Sequence, residues 1–80
     1  MALDPYRWGF IGAGKMARKM ANDLLLTEGS EIYAVNARTS RSANIFAKEF
    51  NIQKTYLSTE DLINDPAVDI VYISTPNNLH

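Results

Sequence analysis

The feature that most constrains this sequence is a change of residue period close to its start. Tyr6 to Ile11, YRWGFI, is a short aromatic and β-branched run bounded by Pro5 and Gly12, which predicts a strand. Immediately afterwards Ala13, Ala17, Met20, Ala21 and Leu24 recur at helical spacing, with Lys15, Arg18, Lys19, Asn22 and Asp23 on the other side. That pattern predicts a helix ending near Glu28, with Gly29 as its stop signal. Between strand and helix lies Gly12-Ala13-Gly14-Lys15-Met16-Ala17. A glycine pattern of this kind arises often by chance, and only a strand before it and a helix after it give it weight.

The same alternation continues down the chain. Glu31 to Ala37 reads as a second strand, mostly apolar as a covered parallel strand should be. Thr39 or Ser40 offers an N-cap to a helix whose stripe is Ala43, Phe46, Ala47 and Phe50. Lys54 to Leu57 predicts a short third strand. Ser58 with Asp61 predicts a capped helix through Asn64, which Pro66 prevents from continuing. Asp69 to Ser74 is the fourth strand, closed by the loop Thr75-Pro76-Asn77-Asn78. Strands alternating with helices imply a parallel sheet with right-handed crossovers. The fold class is therefore α/β: a Rossmann-type doubly wound parallel sheet of order 3-2-1-4, incomplete, with a ligand crevice at the carboxyl ends of strands 1 and 4.

Composition narrows the ligands. Eight Lys and Arg against nine Asp and Glu leave no basic field for nucleic acid, so anion binding has to be local. With no cysteine, a disulfide framework and a Cys-based metal site are both excluded. No apolar run is long enough to span a bilayer, and the first residues do not read as a signal peptide, so the expected setting is cytoplasmic.

In its strand-helix context the loop is G-x-G-x-x-A, the dinucleotide fingerprint with alanine in third place. Gly12 allows the tight turn, Gly14 lets a diphosphate approach the backbone, and Ala17 keeps the helix close to the sheet. The helix amides and dipole face the anion. Gly9 lies inside the strand, where close packing explains it better than a ligand. About 20 residues on, NAD-binding folds place an Asp or Glu against the adenosine ribose. Here Val35 to Arg41, VNARTSR, holds no carboxylate. Arg38 can instead grip a 2′-phosphate and stack on adenine, which favours NADP over NAD as cofactor. Asn36, Thr39 and Ser40 are candidate neutral donors. Arg41 is either a second cation or a solvated residue at the helix start. After strand 4, Thr75, Asn77 and Asn78 bring short polar groups toward the nicotinamide ribose. His80 is a cofactor contact or a chain-end histidine, and Asp69 reads as a strand-boundary residue.

Together RWGFIGAGKMA, AVNARTSRSANIFAKEFNI and DIVYISTPNNLH resemble the N-terminal part of the Gfo/Idh/MocA oxidoreductases, in the branch with dihydrodiol and xylose dehydrogenases. The resemblance covers nearly all of residues 6 to 80. It implies Gly12, Gly14 and Ala17 as the diphosphate turn, Arg38 as the 2′-phosphate and adenine contact, and Pro76, Asn77 and His80 as the loop lining the cofactor cleft. With the residue readings above, the expected cofactor-binding set is Ile11, Gly12, Ala13, Gly14, Lys15, Met16, Ala17, Arg38, Thr39, Arg41, Thr75, Pro76, Asn77 and His80. Related sequences often carry arginine at the position of Ser42, a departure that puts the cationic contribution on Arg41 or weakens it. The family's catalytic lysine, in a Glu-Lys-Pro motif, lies beyond His80, so no catalytic residue is assigned. The chain accordingly reads as the first part of a dinucleotide-binding domain, followed by the rest of that domain and a C-terminal α/β substrate domain. The implied reaction is hydride transfer between nicotinamide and a carbinol carbon of a sugar, polyol or diol, in a protein that assembles as a homo-oligomer through the C-terminal domain. A non-catalytic NADP(H)-sensing module would share every motif seen here. A methyltransferase using S-adenosylmethionine is disfavoured by the missing carboxylate after strand 2.

Overall fold

A computed structural model describes residues 6–74. Along the chain come β1 (Tyr6–Ile11), α1 (Lys15–Leu25), β2 (Ser30–Asn36), α2 (Ser40–Phe50), β3 (Lys54–Tyr56), α3 (Thr59–Ile63) and β4 (Ile70–Ile73). All pairings are parallel and the strand order is β3-β2-β1-β4, as expected for the doubly wound arrangement. The N-terminal strand is thus interior to the sheet, and chain direction reverses its sideways progress between β1 and β4. At that reversal the loops leaving two neighbouring strands part to opposite faces and leave a crevice.

Each face of the sheet has its own core. On one face Phe10, Ile32 and Val35 meet Ala17, Ala21 and Leu24 of α1 and Phe46 and Phe50 of α2. Phe10 packs tilted against Phe46 and Tyr72, with ring centroids 6.0 and 5.4 Å apart. On the other face Ile11 and Ala34 meet Leu62 of α3, with Tyr33, Tyr56 and Val68 around them. Gly9 is a packing residue: a Cβ there would sit 2.9 Å from both Leu62 Cδ2 and Val68 Cγ1, so its absence lets α3 lie against the sheet.

One irregularity in β2 is invisible in the sequence. Trp8 pairs with Ile32 but Gly9 pairs with Ala34, so Tyr33 is an extra residue opposite β1. This bulge lets Ile32 and Val35 share one core, while Tyr33 and Ala34 both pack on the other. Strict alternation would have placed Ile32 and Val35 on opposite faces.

The element ends differ slightly from the predicted ones. Helix α1 stops at Leu25 rather than near Glu28. Leu26 and Thr27 donate to Asp23 and Leu24, bonds that tighten and end the helix. Leu24 is the last buried position of the stripe, and the next ones, Thr27 and Glu28, have nothing apolar to bury. Gly29 instead supplies a left-handed turn, φ +84°, into β2. Asn51, also left-handed at φ 55°, ends α2, and the Ile52 amide donates to the Ala47 carbonyl at 2.8 Å. Strand β2 starts one residue earlier than predicted and ends before Ala37, β3 ends at Tyr56 and β4 spans only Ile70–Ile73. Asp69 is a boundary residue as read: its carboxylate accepts from the Arg7 amide at 2.9 Å and its own amide donates to the Arg7 carbonyl at 2.8 Å.

A clip behind β3 carries a pH signature. Tyr56 Oη donates to Asp65 Oδ2 at 2.6 Å, and the Ala67 amide donates to Oδ1 at 2.8 Å. The hydroxyl and the amide hold the Asp65 carboxyl below its ordinary value. The same carboxylate keeps the phenol protonated and pushes Tyr56 up to about 12. A depressed carboxyl stabilises the fold above its unfolded value of 3.8 and ceases to do so as pH falls through its folded value. A raised phenol stabilises below its ordinary 10 and loses that effect as pH climbs toward about 12. Stability from this clip is therefore flat between those limits and falls at both ends. Denaturant midpoints measured across pH should show both declines, and Tyr56→Phe should shrink the alkaline one; an unchanged alkaline limb would show that Tyr56 is not its source.

Candidate functional site

The carboxyl ends of β1, β2 and β4 open into a cleft of about 890 Å³. Its floor is the glycine loop. Gly12 sits at φ +106°, a conformation L side chains rarely adopt, and a Cβ there would stand 2.9 Å from Ser74 Oγ and 3.1 Å from the Ser74 carbonyl oxygen. The loop is pinned on both sides: the Gly12 amide donates to the Asn36 carbonyl at 2.8 Å, and the Ser74 amide donates to the Ile11 carbonyl at 2.9 Å. Arg18 braces it from behind. Its Nη1 donates to the Ala13 carbonyl at 3.1 Å, its Nε pairs with Glu49 at 3.1 Å, and its guanidinium lies over the Phe46 ring.

Gly14 is different in kind. Its φ of −91° suits any residue, and a Cβ would meet nothing within 4 Å. Among the described residues no contact calls for glycine there, and an occupant of the open space beside it would supply a reason. The helix that begins there points the same way. Thr39 caps α2 and Ser58 caps α3 through their side-chain oxygens, whereas α1 has no side-chain cap and no acidic residue in its first turn. Its first amides are left facing the cleft with the positive end of the helix dipole. A diphosphate satisfies both features, supplying acceptors for the amides and filling space a Cβ would take. The residues present therefore fit a dinucleotide.

The walls bring together most of the residues that the sequence singles out. Ile11, Gly12, Ala13, Gly14, Lys15, Met16 and Arg38 line the cleft, and Ala17 is fully buried beneath it against the sheet. Arg38 is exposed and, among the described residues, has no ion-pair partner. Thr39 and Arg41 do not line it. The Thr39 hydroxyl is engaged in capping, accepting from the Ser42 amide at 3.1 Å and donating to Ser42 Oγ at 3.0 Å. Ser42, one helical turn on, reaches the cleft in place of Arg41. Thr75, Pro76, Asn77 and His80 lie outside the described residues.

Asn36 has a structural part that its sequence reading did not include. It lines the cleft, and its side chain is also tied into the fold: Nδ2 donates one of its two protons to the Tyr56 carbonyl at 3.1 Å and Oδ1 accepts from Thr59 Oγ1 at 3.2 Å. Its backbone and side chain together join the glycine loop, the end of β3 and the start of α3. Leu57, Thr59 and Ser74 also line the cleft and were not in the predicted set. Position could have revealed them, since each follows the carboxyl end of a strand, where such sheets carry ligand contacts. Among the described residues no helix is long and apolar enough to cross a membrane, and no group of three or more His, Asp or Glu could hold a metal ion.

Residues 6–80 match the Gfo/Idh/MocA family, described as an oxidoreductase family with an NAD-binding Rossmann fold. The trans-1,2-dihydrobenzene-1,2-diol dehydrogenase of Mus musculus is 41% identical over 76 residues, which cover 92% of this chain and 23% of that protein. Two solved structures share the fold. Myo-inositol dehydrogenase from Lactobacillus casei, in complex with NAD(H) and myo-inositol, has a TM-score of 0.83 at 27% identity and covers 89% of this chain and 22% of its own. Biliverdin reductase from Synechocystis sp. PCC 6803, in complex with biliverdin and NADP+, has a TM-score of 0.80 at 30% identity, with the same coverage of 89% and 22%. The chain spans 22–23% of the length of the curated relatives it matches first.

Proposed function

The chain belongs to the Gfo/Idh/MocA oxidoreductase family, and from that premise we propose that it is the cofactor-binding front of an NADP-dependent oxidoreductase acting on a carbinol carbon of a sugar, polyol or diol. The observation that supports the cofactor reading is Gly14: a helix start without a side-chain cap, beside open space that no described residue fills within 4 Å. When bound, the dinucleotide supplies hydride transfer at its nicotinamide ring. This chain's residues bind and orient it, which is the protein's main contribution in such chemistry. The amides of Lys15, Met16 and Ala17 face the diphosphate, Arg38 grips the 2′-phosphate, and the β1–β4 side of the cleft receives the nicotinamide half. Proton transfer falls to a lysine beyond His80, and substrate to a further domain through which the protein assembles as a homo-oligomer in a cytoplasmic setting. The substrate class is supported by relatives whose names specify a diol and an inositol.

Gly14→Ala separates fold from ligand. The added methyl meets no atom of the described residues within 4 Å, so stability of the full-length protein should change by less than about 1 kcal/mol. Crowding of the diphosphate should weaken NADP and NAD alike, on the order of tenfold, in a fluorescence titration. Unchanged affinity for both dinucleotides would remove the diphosphate from this loop.

A further inference from the structure

We propose that Thr59 is a specificity-determining residue that reads the base of the dinucleotide, acting as a fixed hydrogen-bond acceptor for the exocyclic amine of adenine. The inference rests on the dinucleotide reading above and goes beyond it.

A chain of forced choices fixes the polarity of this hydroxyl. The Tyr56 carbonyl can only accept, so the Asn36 atom 3.1 Å from it is the amide nitrogen. The amide oxygen therefore faces Thr59 Oγ1, at 3.2 Å, and it too can only accept. The single hydroxyl proton of Thr59 is thereby committed to Asn36. Asn36 is only 7% exposed, so the amide oxygen that takes this proton is shielded, while the Thr59 side chain is exposed at the cleft. What Thr59 presents to the cleft is a lone pair: an acceptor, with no proton to donate.

The strand order decides which half of the dinucleotide meets it. With the glycine loop on β1 and the crevice between β1 and β4, the β2 and β3 ends lie on the opposite side, beyond Arg38. Thr59 and Leu57 flank that end. Leu57 is 63% exposed there, an apolar surface without a protein partner to cover it, and the Arg38 guanidinium is a planar one. A purine between them keeps its faces on apolar and planar groups and turns an edge to Thr59. Adenine offers an amine on that edge and can donate to the lone pair. Hypoxanthine offers a carbonyl oxygen, which would repel it. The same polarity keeps Thr59 from binding a phosphate and leaves that charge to Arg38.

The test compares NADP with its deamino analogue, in which hypoxanthine replaces adenine, on the full-length protein. The wild type should bind NADP roughly 3- to 10-fold more tightly than the analogue. Thr59→Val should bring the two affinities within about twofold by weakening NADP alone, and Thr59→Ser, which keeps the hydroxyl, should preserve the difference. Equal affinities in the wild type would overturn the proposal, and so would an equal loss for both ligands in Thr59→Val. Should the valine variant fail to fold because Asn36 Oδ1 is orphaned, the wild-type comparison and the serine variant still decide. Binding of NADP without base discrimination refutes this inference alone; binding of neither dinucleotide refutes the cofactor reading with it.

Discussion

An Arg38→Ala variant of the full-length protein is expected to bind NADP roughly 10- to 150-fold more weakly, with little change in its affinity for NAD. The range follows from hydrogen bonds to charged groups, which contribute about 1.5 to 3 kcal/mol. Three features concentrate the effect on this side chain. The end of β2 carries no carboxylate, and Ala37, which precedes Arg38, is buried with no polar group to offer. Arg41 lies outside the cleft, so no neighbouring arginine there takes over the charge. Arg38 is exposed at the cleft wall with no ion-pair partner among the described residues, so no internal contact is lost with it. The selectivity between the two dinucleotides is the informative reading. Parallel losses for both, measured by titration at fixed ionic strength, would move the 2′-phosphate elsewhere.

Gly12→Ala is expected to destabilise the fold by about 2 to 4 kcal/mol, the largest effect of any single methyl added to the glycine loop. Two costs combine. At φ +106° an L residue is strained, and the new Cβ would stand 3.1 Å from the Ser74 carbonyl oxygen and 3.2 Å from its carbonyl carbon. Ser74 Oγ, at 2.9 Å, can rotate away, but the backbone cannot without breaking the Ser74 amide bond to the Ile11 carbonyl. The lower denaturant midpoint should appear without any cofactor present. A variant as stable as the wild type would show that the loop is free to adopt another conformation. Gly12 and Gly14 thus have separable purposes: one answers to the protein and the other to the ligand.

Periodicity made most of this architecture legible in the sequence. The stripe Ala43, Phe46, Phe50 is a buried face because helical residues three and four apart point the same way. Alternation and crossover handedness give the parallel sheet, and the doubly wound arrangement gives the order 3-2-1-4. The bulge at Tyr33 was not legible, because a continuous apolar run such as Ile32 to Val35 contains no alternation to interrupt. In the site, the glycine loop and Arg38 were readable because their chemistry depends on local spacing. Leu57 and Thr59 carry no motif of their own, because β3 and α3 bring them to the cleft from about 20 residues beyond Arg38, and only their place after a strand end marks them. The structural part of Asn36 was hidden for a related reason: its partners Tyr56 and Thr59 are distant in sequence, and only the fold shows that its amide joins them.

The bulge in β2 has a consequence for how this chain tolerates changes of length. Removing one residue from a regular strand inverts every side chain beyond the deletion, moving core residues into solvent. Loss of Tyr33 would instead leave Ile32 opposite Trp8 and Ala34 opposite Gly9, with Val35 still on the face of Ile32. The glycine loop, tied to Asn36 through the Gly12 amide, would keep its anchor. Position 33 is therefore a place where this sheet can lose one residue while Arg38 stays in register with the cleft.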